Sequence, residues 1–319
     1  DVYKRQGFLG SAEQIGIVQE FLAGWPDVPF ILDPVMGDHG KAYRTVTPEH
    51  CEGLKFLLSR AAIITPNITE ACLLTDTPYR ESGWKRDELC LLARQLHAMG
   101  PDKVVITGLR ENEDYINFIS ERTDGLTTEV NRTHSAGHSW HGTGDIFASI
   151  IAADAVNGVP FGESVEKAAA FVRTCISASI RLAGRPAVRG LYPPGHSLFA
   201  CGIILKYHIG RILQMKQRHE CTKYKSNSNC IQEGTDMPCR IPKKIAMIND
   251  IAGYGRCSAT ESIPIISAMK VQVCPVPTSL FSNHTGFPVH FMHDCTPYLR
   301  DYLAKWKELG FRFDGIYCG

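Results

Sequence analysis

Phe30-Ile31-Leu32-Asp33-Pro34-Val35-Met36-Gly37-Asp38 is a continuous apolar run that ends in a carboxylate. Apolar residues without alternation suit a strand covered on both faces, the condition of a parallel sheet, and such a strand delivers Asp33 to its carboxyl edge. The pattern recurs. Ala61-Ala62-Ile63-Ile64 runs into Thr65-Pro66-Asn67-Ile68-Thr69-Glu70, and Lys103 to Ile106 ends in Thr107-Gly108. Helical patterns lie between them: Ser11 to Trp25 with Ile15, Val18, Phe21 and Leu22 at helical spacing, a cap-and-proline start at Thr47-Pro48-Glu49, and Arg86 to Met99. Strand, polar tip and helix in repetition predict an α/β fold, a mostly parallel sheet with helices on both faces. Ligands of such sheets bind beyond the carboxyl ends of the strands, where all these polar tips fall.

Further along, Tyr115 to Glu121 and Leu126 to Asn131 alternate loosely, as a hairpin at a sheet edge does. His141-Gly142-Thr143-Gly144-Asp145 then runs straight into the apolar stretch Ile146 to Ala153, and a second helix follows from Glu163 to Leu182. The unpaired N–H groups of a glycine-flanked helix start form a ready anion site. A carboxylate there repels phosphate unless it has its own task, and taking a proton from a hydroxyl that attacks phosphorus is such a task. The same residues also fit an ordinary N-cap, with Thr143 or Asp145 capping a core helix.

The 319 residues carry a formal net charge of +1 and are 44% hydrophobic, enough for a large core and without the basic footprint of a nucleic-acid binder. The longest suspicious stretch, Ser197 to Leu205, is too short to span a bilayer, for which about 20 residues are needed. Nothing resembles a signal peptide, so the cytoplasm is the expected compartment. The twelve cysteines are scattered without a C-x-x-C pair and read as free thiols. Cys201, Cys221, Cys230 and Cys239 are too widely spaced to read as a zinc site, and His134, His138 and His141 read as loop and strand-edge residues.

Residues 1–6 have no initiator Met and no periodicity, and read like a translated adapter. Residues 196–243 are basic and cysteine-dotted with little period, as a disordered linker would be. Order returns at Lys244: strands at Ile245–Ile248, Val271–Val276 and Phe313–Cys318, helices at Ser258–Met269 and Pro297–Leu309. Gly253-Tyr254-Gly255 lacks the third glycine and the acid of a dinucleotide fingerprint, and Gly37 to Lys41 has the wrong spacing for a Walker loop.

Asp33-Pro-Val-Met-Gly-Asp38, Thr65-Pro-Asn-Ile-Thr-Glu70 and Gly142-Thr-Gly-Asp145 together resemble the ribokinase-like superfamily. Ile248-Asn-Asp-Ile-Ala-Gly-Tyr-Gly255 and Ser282-Asn-His-Thr-Gly286 narrow the resemblance to the pyridoxal/pyridoxamine kinase family, over roughly residues 7–195 and 244–319. The hydroxymethylpyrimidine kinase branch shares the Asp-Pro-Val-Met stretch, but it usually has cysteine where Asp145 stands and lacks Ser-Asn-His-Thr-Gly. The order departs from the family: residues 244–319 look like its N-terminal third, residues 7–195 like the remaining two-thirds. Phe313 to Gly319 would run naturally into Phe8-Leu9-Gly10-Ser11, as in a circular permutant or a joining of sequence ends bridged by residues 196–243.

The resemblance implies a three-layer sandwich and ATP-dependent phosphorylation of the 5'-hydroxymethyl group of pyridoxal, pyridoxamine or pyridoxine. The alternatives are a hydroxymethylpyrimidine kinase and a folded chimera that only binds ligand. By resemblance, Asp145 is the catalytic base, and Gly142, Thr143 and Gly144 offer N–H groups to the transferred phosphoryl. Asn67, Thr107 and Gly108 contact the nucleotide, and the loop from Asp38 to Tyr43 closes over it. Asp33 and Glu70 hold Mg2+ through water, with room for a monovalent cation. Asn249 (where relatives often carry Ser), Thr285 and the ring of Phe8 meet the pyridine. A homodimer is implied, with neither nucleic acid nor membrane as partner.

Overall fold

A computed structural model of the chain describes residues 9–43, 46–112, 114–123, 125–134, 142–183, 241–255, 257–285 and 287–319. The expectations for Phe8, residues 1–6, His138, His141 and residues 196–240 lie outside the described residues. The chain begins with α1 (Ala12–Ala23), capped by the Ser11 hydroxyl, and β1 (Phe30–Leu32). A small hairpin, β2 (Gly37–Asp38) and β3 (Lys41–Ala42), leads to α2 (Pro48–Leu58), with Thr47 as cap and proline in the first turn. Next come β4 (Ile63–Ile64), α3 (Ile68–Thr75), α4 (Arg86–Ala98) and three nine-residue strands, β5 (Lys103–Glu111), β6 (Asp114–Arg122) and β7 (Leu126–His134). Two helices, α5 (Thr143–Asn157) and α6 (Phe161–Ala183), precede β8 (Lys243–Tyr254). The last elements are α7 (Ala259–Ala268), β9 (Val271–Asn283), β10 (Met292–Asp294), α8 (Thr296–Glu308) and β11 (Gly315–Cys318).

Among the described residues nine strands form one sheet in the order β10-β9-β8-β11-β1-β4-β5-β6-β7. From β9 to β5 all pairings are parallel, while β10, β6 and β7 join antiparallel at the two edges. The short strand β11 lies between β8 and β1, pairing Ile316 with Ala246 on one side and Phe30 on the other. Strands from both ends of the sequence thus alternate in one layer.

The unbroken apolar runs have a direct cause. Phe30, Leu32, Ile64, Ala246, Ile248 and Ile316 point into one core, filled by α1, α2, α3, α4 and α8. Their neighbours Ile31, Ile63, Ile245, Met247 and Tyr317 point into the other, filled by α5, α6 and α7. Both faces of the sheet are covered, so neither face calls for polar residues. Each fully buried Ile or Leu contributes roughly 1.5–3 kcal/mol relative to exposure. The helix α5 is buried over Ile146–Ala153, as its all-round apolar sequence requires. It packs on β11 so closely that a Cβ on Gly315 would stand 2.5 Å from Cγ2 of Val156. On the opposite face, Trp25 of the α1 end meets Phe313 edge-on with ring centroids 5.3 Å apart, and Gln14 Nε2 donates to the carbonyl of Thr278 at 3.0 Å.

Several boundaries differ from those read in the sequence. Thr107-Gly108 does not end its strand; β5 continues through a bulge between Ile106 and Leu109, where Gly108 has φ +73°, and pairs with β6 as far as Glu111. Residues 68–75 form α3 because Asn67 and Glu70 cap one another, a capping box inside what reads as a polar tip. Strands β8 and β9 run past Ile248 and Val276 and stay paired to Tyr254 and Asn283. The eight cysteines that can be assigned among the described residues are free. No helix among the described residues is long and apolar enough to cross a membrane.

Candidate active site

The carboxyl ends of the parallel strands and the N-terminus of α5 face one another across a cavity of about 550 Å³. Gly142 is the N-cap of α5, and its φ of 87° lies in the left-handed region that a side chain would disfavour. Gly142, Thr143, Gly144 and Asp145, the start of α5, line that cavity. The ordinary N-cap by Thr143 or Asp145 is not what forms, since Gly142 takes that position.

Asp145 is half-buried, and its Oδ2 accepts the backbone N–H of Ser258 at 2.9 Å. Burial raises its pKa, and the Ser258 bond opposes that rise. Asp33, at the end of β1, is buried; its N–H donates to the Cys318 carbonyl at 2.8 Å and its Oδ1 accepts the Thr65 hydroxyl at 2.8 Å. Its Oδ2 lies beside Gly144, 3.9 Å from where a Cβ would be. Burial pushes the Asp33 carboxyl up to about 7, helped by the charge of Asp145 and opposed by Thr65.

Glu70 is buried and already engaged. Its Oε1 accepts the N–H of Met36 at 3.1 Å and its Oε2 that of Asn67 at 2.8 Å. Burial, and then the nearby charge of Asp33, raise its pKa well above the ordinary value. Asn67 Nδ2 donates to the Gly37 carbonyl at 2.9 Å, so Glu70 and Asn67 together fix the loop after β1. Asp38 sits in the β2–β3 hairpin, which Gly40 ties to α3 by donating its N–H to Thr69 Oγ1 at 2.9 Å. Tyr43, Thr107 and Gly108 line the same cavity as Asp33, Asp38, Asn67 and Glu70.

Burial raises all three carboxyls, and the charge of Asp145 adds to the rise at Asp33 and that of Asp33 to the rise at Glu70, a strain that a divalent cation would relieve. No group of three or more His, Cys, Asp or Glu among the described residues forms a metal cage. That donor set fits Mg2+, which keeps several waters and takes one or two carboxylates with phosphate oxygens. Because both Glu70 oxygens hold backbone N–H groups, Asp33 is the better direct ligand and Glu70 fits through water.

The residues tied by resemblance to the pyridine stand apart from this cavity's walls. Asn249 is buried in β8; its Oδ1 accepts the Asp250 N–H at 2.9 Å, and its Nδ2 finds no partner among the described residues. Thr285 follows β9, half-buried, next to His284, whose N–H donates to the Tyr254 carbonyl at 3.0 Å. Neither lines the cavity. Asn249 lies midway along β8, opposite Pro277, and Thr285 just beyond the end of β9; the chain leaving β8 reaches Asp145 through Ser258.

Arg110, Arg173, Tyr79 and Tyr115, which no sequence motif marks, also line the cavity. Arg110 stacks over Tyr115 at 5.4 Å from the ring centroid. Its only signal was strand alternation continuing beyond Gly108; for Arg173, one residue on a long helix, there was none.

A family model described as phosphomethylpyrimidine kinase matches residues 2–187. The pyridoxine kinase of Bacillus subtilis is 30% identical over 156 residues, 48% of this chain and 55% of that protein. The hydroxymethylpyrimidine/phosphomethylpyrimidine kinase of Haemophilus influenzae is 30% identical over 176 residues, 54% of this chain and 63% of that protein. The chain therefore spans less than two thirds of the length of these relatives. Among solved structures, a Bacteroides thetaiotaomicron protein in an orthorhombic form with pyridoxal matches with a TM-score of 0.50 at 30% identity, covering 54% of this chain and 61% of that one. The pyridoxal kinase of Lactobacillus plantarum shares the fold, with a TM-score of 0.50 at 23% identity over 56% of this chain and 62% of that one. With more than half of its residues matched by the family model, the chain belongs to the phosphomethylpyrimidine kinase family.

Proposed function

We propose that the protein transfers the terminal phosphoryl group of ATP to the 5'-hydroxymethyl group of pyridoxal, pyridoxamine or pyridoxine. The observation that carries this reading is the Asp145 carboxylate in the first turn of α5, lining one cavity together with Gly142, Thr143 and Gly144 of the same helix start and with Asp33, Asn67 and Glu70 from the strand ends. Asp145 accepts the proton of the attacking hydroxyl, and its raised pKa makes it a better base than a free aspartate. The backbone of Gly142, Thr143 and Gly144 meets the charge that grows on the moving phosphoryl. Asn67 and Thr107 contact nucleotide phosphates, and the β2–β3 hairpin with Asp38 and Tyr43 covers them. Asp33 directly and Glu70 through water would hold Mg2+, which supplies charge neutralisation on the phosphates when bound.

Asn249 Nδ2, which has no partner among the described residues, supports a role in substrate binding, because a buried donor without an acceptor is costly unless a ligand supplies one. Thr285 and Phe8 complete the pyridine site in this reading. Residues 7–195 and 244–319 act as two parts of one kinase domain, written in the reverse of the family's order and bridged by 196–243. Their interleaving in one sheet supports this.

Hydroxymethylpyrimidine is the competing substrate, supported by the family model and by the Haemophilus influenzae relative. Asp145 and the Ser282–Gly286 stretch favour the pyridine. Turnover of pyridoxal and of hydroxymethylpyrimidine, measured side by side with ATP and Mg2+, decides between them. Higher kcat/KM for pyridoxal supports the proposal. Turnover of hydroxymethylpyrimidine alone assigns the protein to the other branch, and binding of both without turnover marks a folded but inactive chain.

A further inference from the structure

One extra residue in β5 decides which of its side chains reach the cavity. Ile106 pairs with Phe118 and Leu109 with Ile116, so Thr107 and Gly108 together stand opposite Asn117. Gly108 takes the left-handed conformation, φ +73°, that suits such a bulge. Ile106 and Leu109 both point into the core of α1 to α4, although an unbroken strand would set residues three apart on opposite faces. Arg110 is thereby turned to the other face, the one that carries Val105 into the second core and Thr107 into the cavity. Its cross-strand neighbour Tyr115 shares that face, with the guanidinium 5.4 Å from the ring centroid. A bridge between Asn67 and Thr107 puts Asn67 at the head of the same row. Asp33, Asp38, Glu70, Glu81 and Asp145 all line this cavity and oppose a polyanion; the arginines that line it among the described residues are Arg110 and Arg173. The nearest carboxylate to Arg110 is that of Glu81 at 4.0 Å, with the two side chains 49% and 73% exposed. An ion pair so open to water is worth little, which leaves the guanidinium available to a better anion.

We propose that Arg110 binds the phosphate chain of the nucleotide, in line with Asn67 and Thr107, and sets the affinity for ATP without touching the substrate that receives the phosphoryl group. The inference rests on the reading of the cavity as a nucleotide site. A guanidinium presents paired N–H groups that match two phosphate oxygens, and Tyr115 supports it from one side. The bulge at Gly108 is what aims it there, since in an unbroken strand Arg110 would share the face of Ile106. Arg173, the other arginine, comes from α6 and belongs to no such row.

The test is equilibrium binding of ATP and of adenosine to the full chain, read by calorimetry, together with KM for ATP and for pyridoxal. Arg110→Met keeps an unbranched apolar stem beside Tyr115 and removes the charge. It is expected to weaken ATP about 10-fold, in Kd and KM alike, with adenosine binding and the pyridoxal KM unchanged. Arg110→Lys, a point charge without the fork, recovers part of the loss. Equal weakening of ATP and adenosine would make Arg110 a wall of the base or ribose pocket, and unchanged ATP binding would leave it outside the site. Either result overturns the proposal, as does a pyridoxal KM that rises as much as the ATP KM. If the unaltered chain binds ATP but phosphorylates neither pyridoxal nor hydroxymethylpyrimidine, the phosphoryl transfer fails while the Arg110 contact stands on the Kd values. If the unaltered chain binds no ATP, both are overturned.

Discussion

The backbone N–H of Asp33 donates to the carbonyl of Cys318 at 2.8 Å, so the first carboxylate of the candidate site hangs on the last strand of the chain. Strand β11 is four residues long and fits between β8 and β1 under helix α5. Without it the sheet would fall into two parts, and the site would lose the backbone that anchors Asp33.

That join can be tested by crowding it. Gly315→Ala places a methyl group 2.5 Å from Val156 Cγ2, so α5 or β11 must shift. Overpacking of this kind costs about 1–3 kcal/mol. Thermal melting should fall for Gly315→Ala, and the double variant Gly315→Ala/Val156→Ala should recover part of the loss. An unchanged melting temperature would mean that β11 is not seated under α5.

Asp33→Asn separates metal binding from substrate binding. The variant is expected to need roughly ten-fold or more Mg2+ for half-maximal activity, with KM for pyridoxal nearly unchanged. Titration of Mg2+ at saturating ATP measures this. An equal rise in the pyridoxal KM would place Asp33 on the substrate instead.

Stability should depend on pH in an unusual direction. Burial carries the Asp250 carboxyl from 3.8 up to about 7. Between these values the folded chain keeps a proton that the unfolded chain has released, so stability is greatest below the window and falls as pH rises through it. The loss amounts to a few kcal/mol, on the order expected for a shift of this size. Urea unfolding of the ligand-free protein at about pH 5 and about pH 8 measures it. The decline should be smaller in Asp250→Asn.

Activity should move the other way. Only ionised Asp145 takes a proton, and burial raises its pKa. The acid limb of kcat/KM should therefore lie at higher pH than a free aspartate would give, with the rate rising as pH rises. A profile flat down to the ordinary aspartate range would remove Asp145 from proton transfer.

The layers of the fold were legible because covering both faces leaves a strong trace in sequence. Phe30–Leu32 and Ile63–Ile64 are unbroken apolar runs, and the helix between them opens with a threonine cap and a proline. Asp33, Asn67, Glu70 and Asp145 were legible because each follows a strand or opens a helix. Glu70 was only half understood. Its place was visible, but its two backbone hydrogen bonds depend on how the loop at Met36 folds back. The length of β8 and β9 was hidden, since Asn249, Asp250, Pro275 and Pro277 interrupt the apolar pattern where the strands remain paired. The tie between Ser258 and Asp145 was also hidden, because 113 positions separate the two residues and no local spacing predicts such a contact.

The most direct measurement is transfer of the terminal phosphoryl of ATP to the 5'-hydroxyl of pyridoxal, followed for the unaltered chain and for Asp145→Asn in the same assay. Pyridoxal 5'-phosphate is expected from the first, and a kcat lower by about 10²- to 10⁴-fold in the second with melting and pyridoxal binding retained. Equal turnover by the two proteins, or binding of pyridoxal and ATP without product in either, would contradict this expectation.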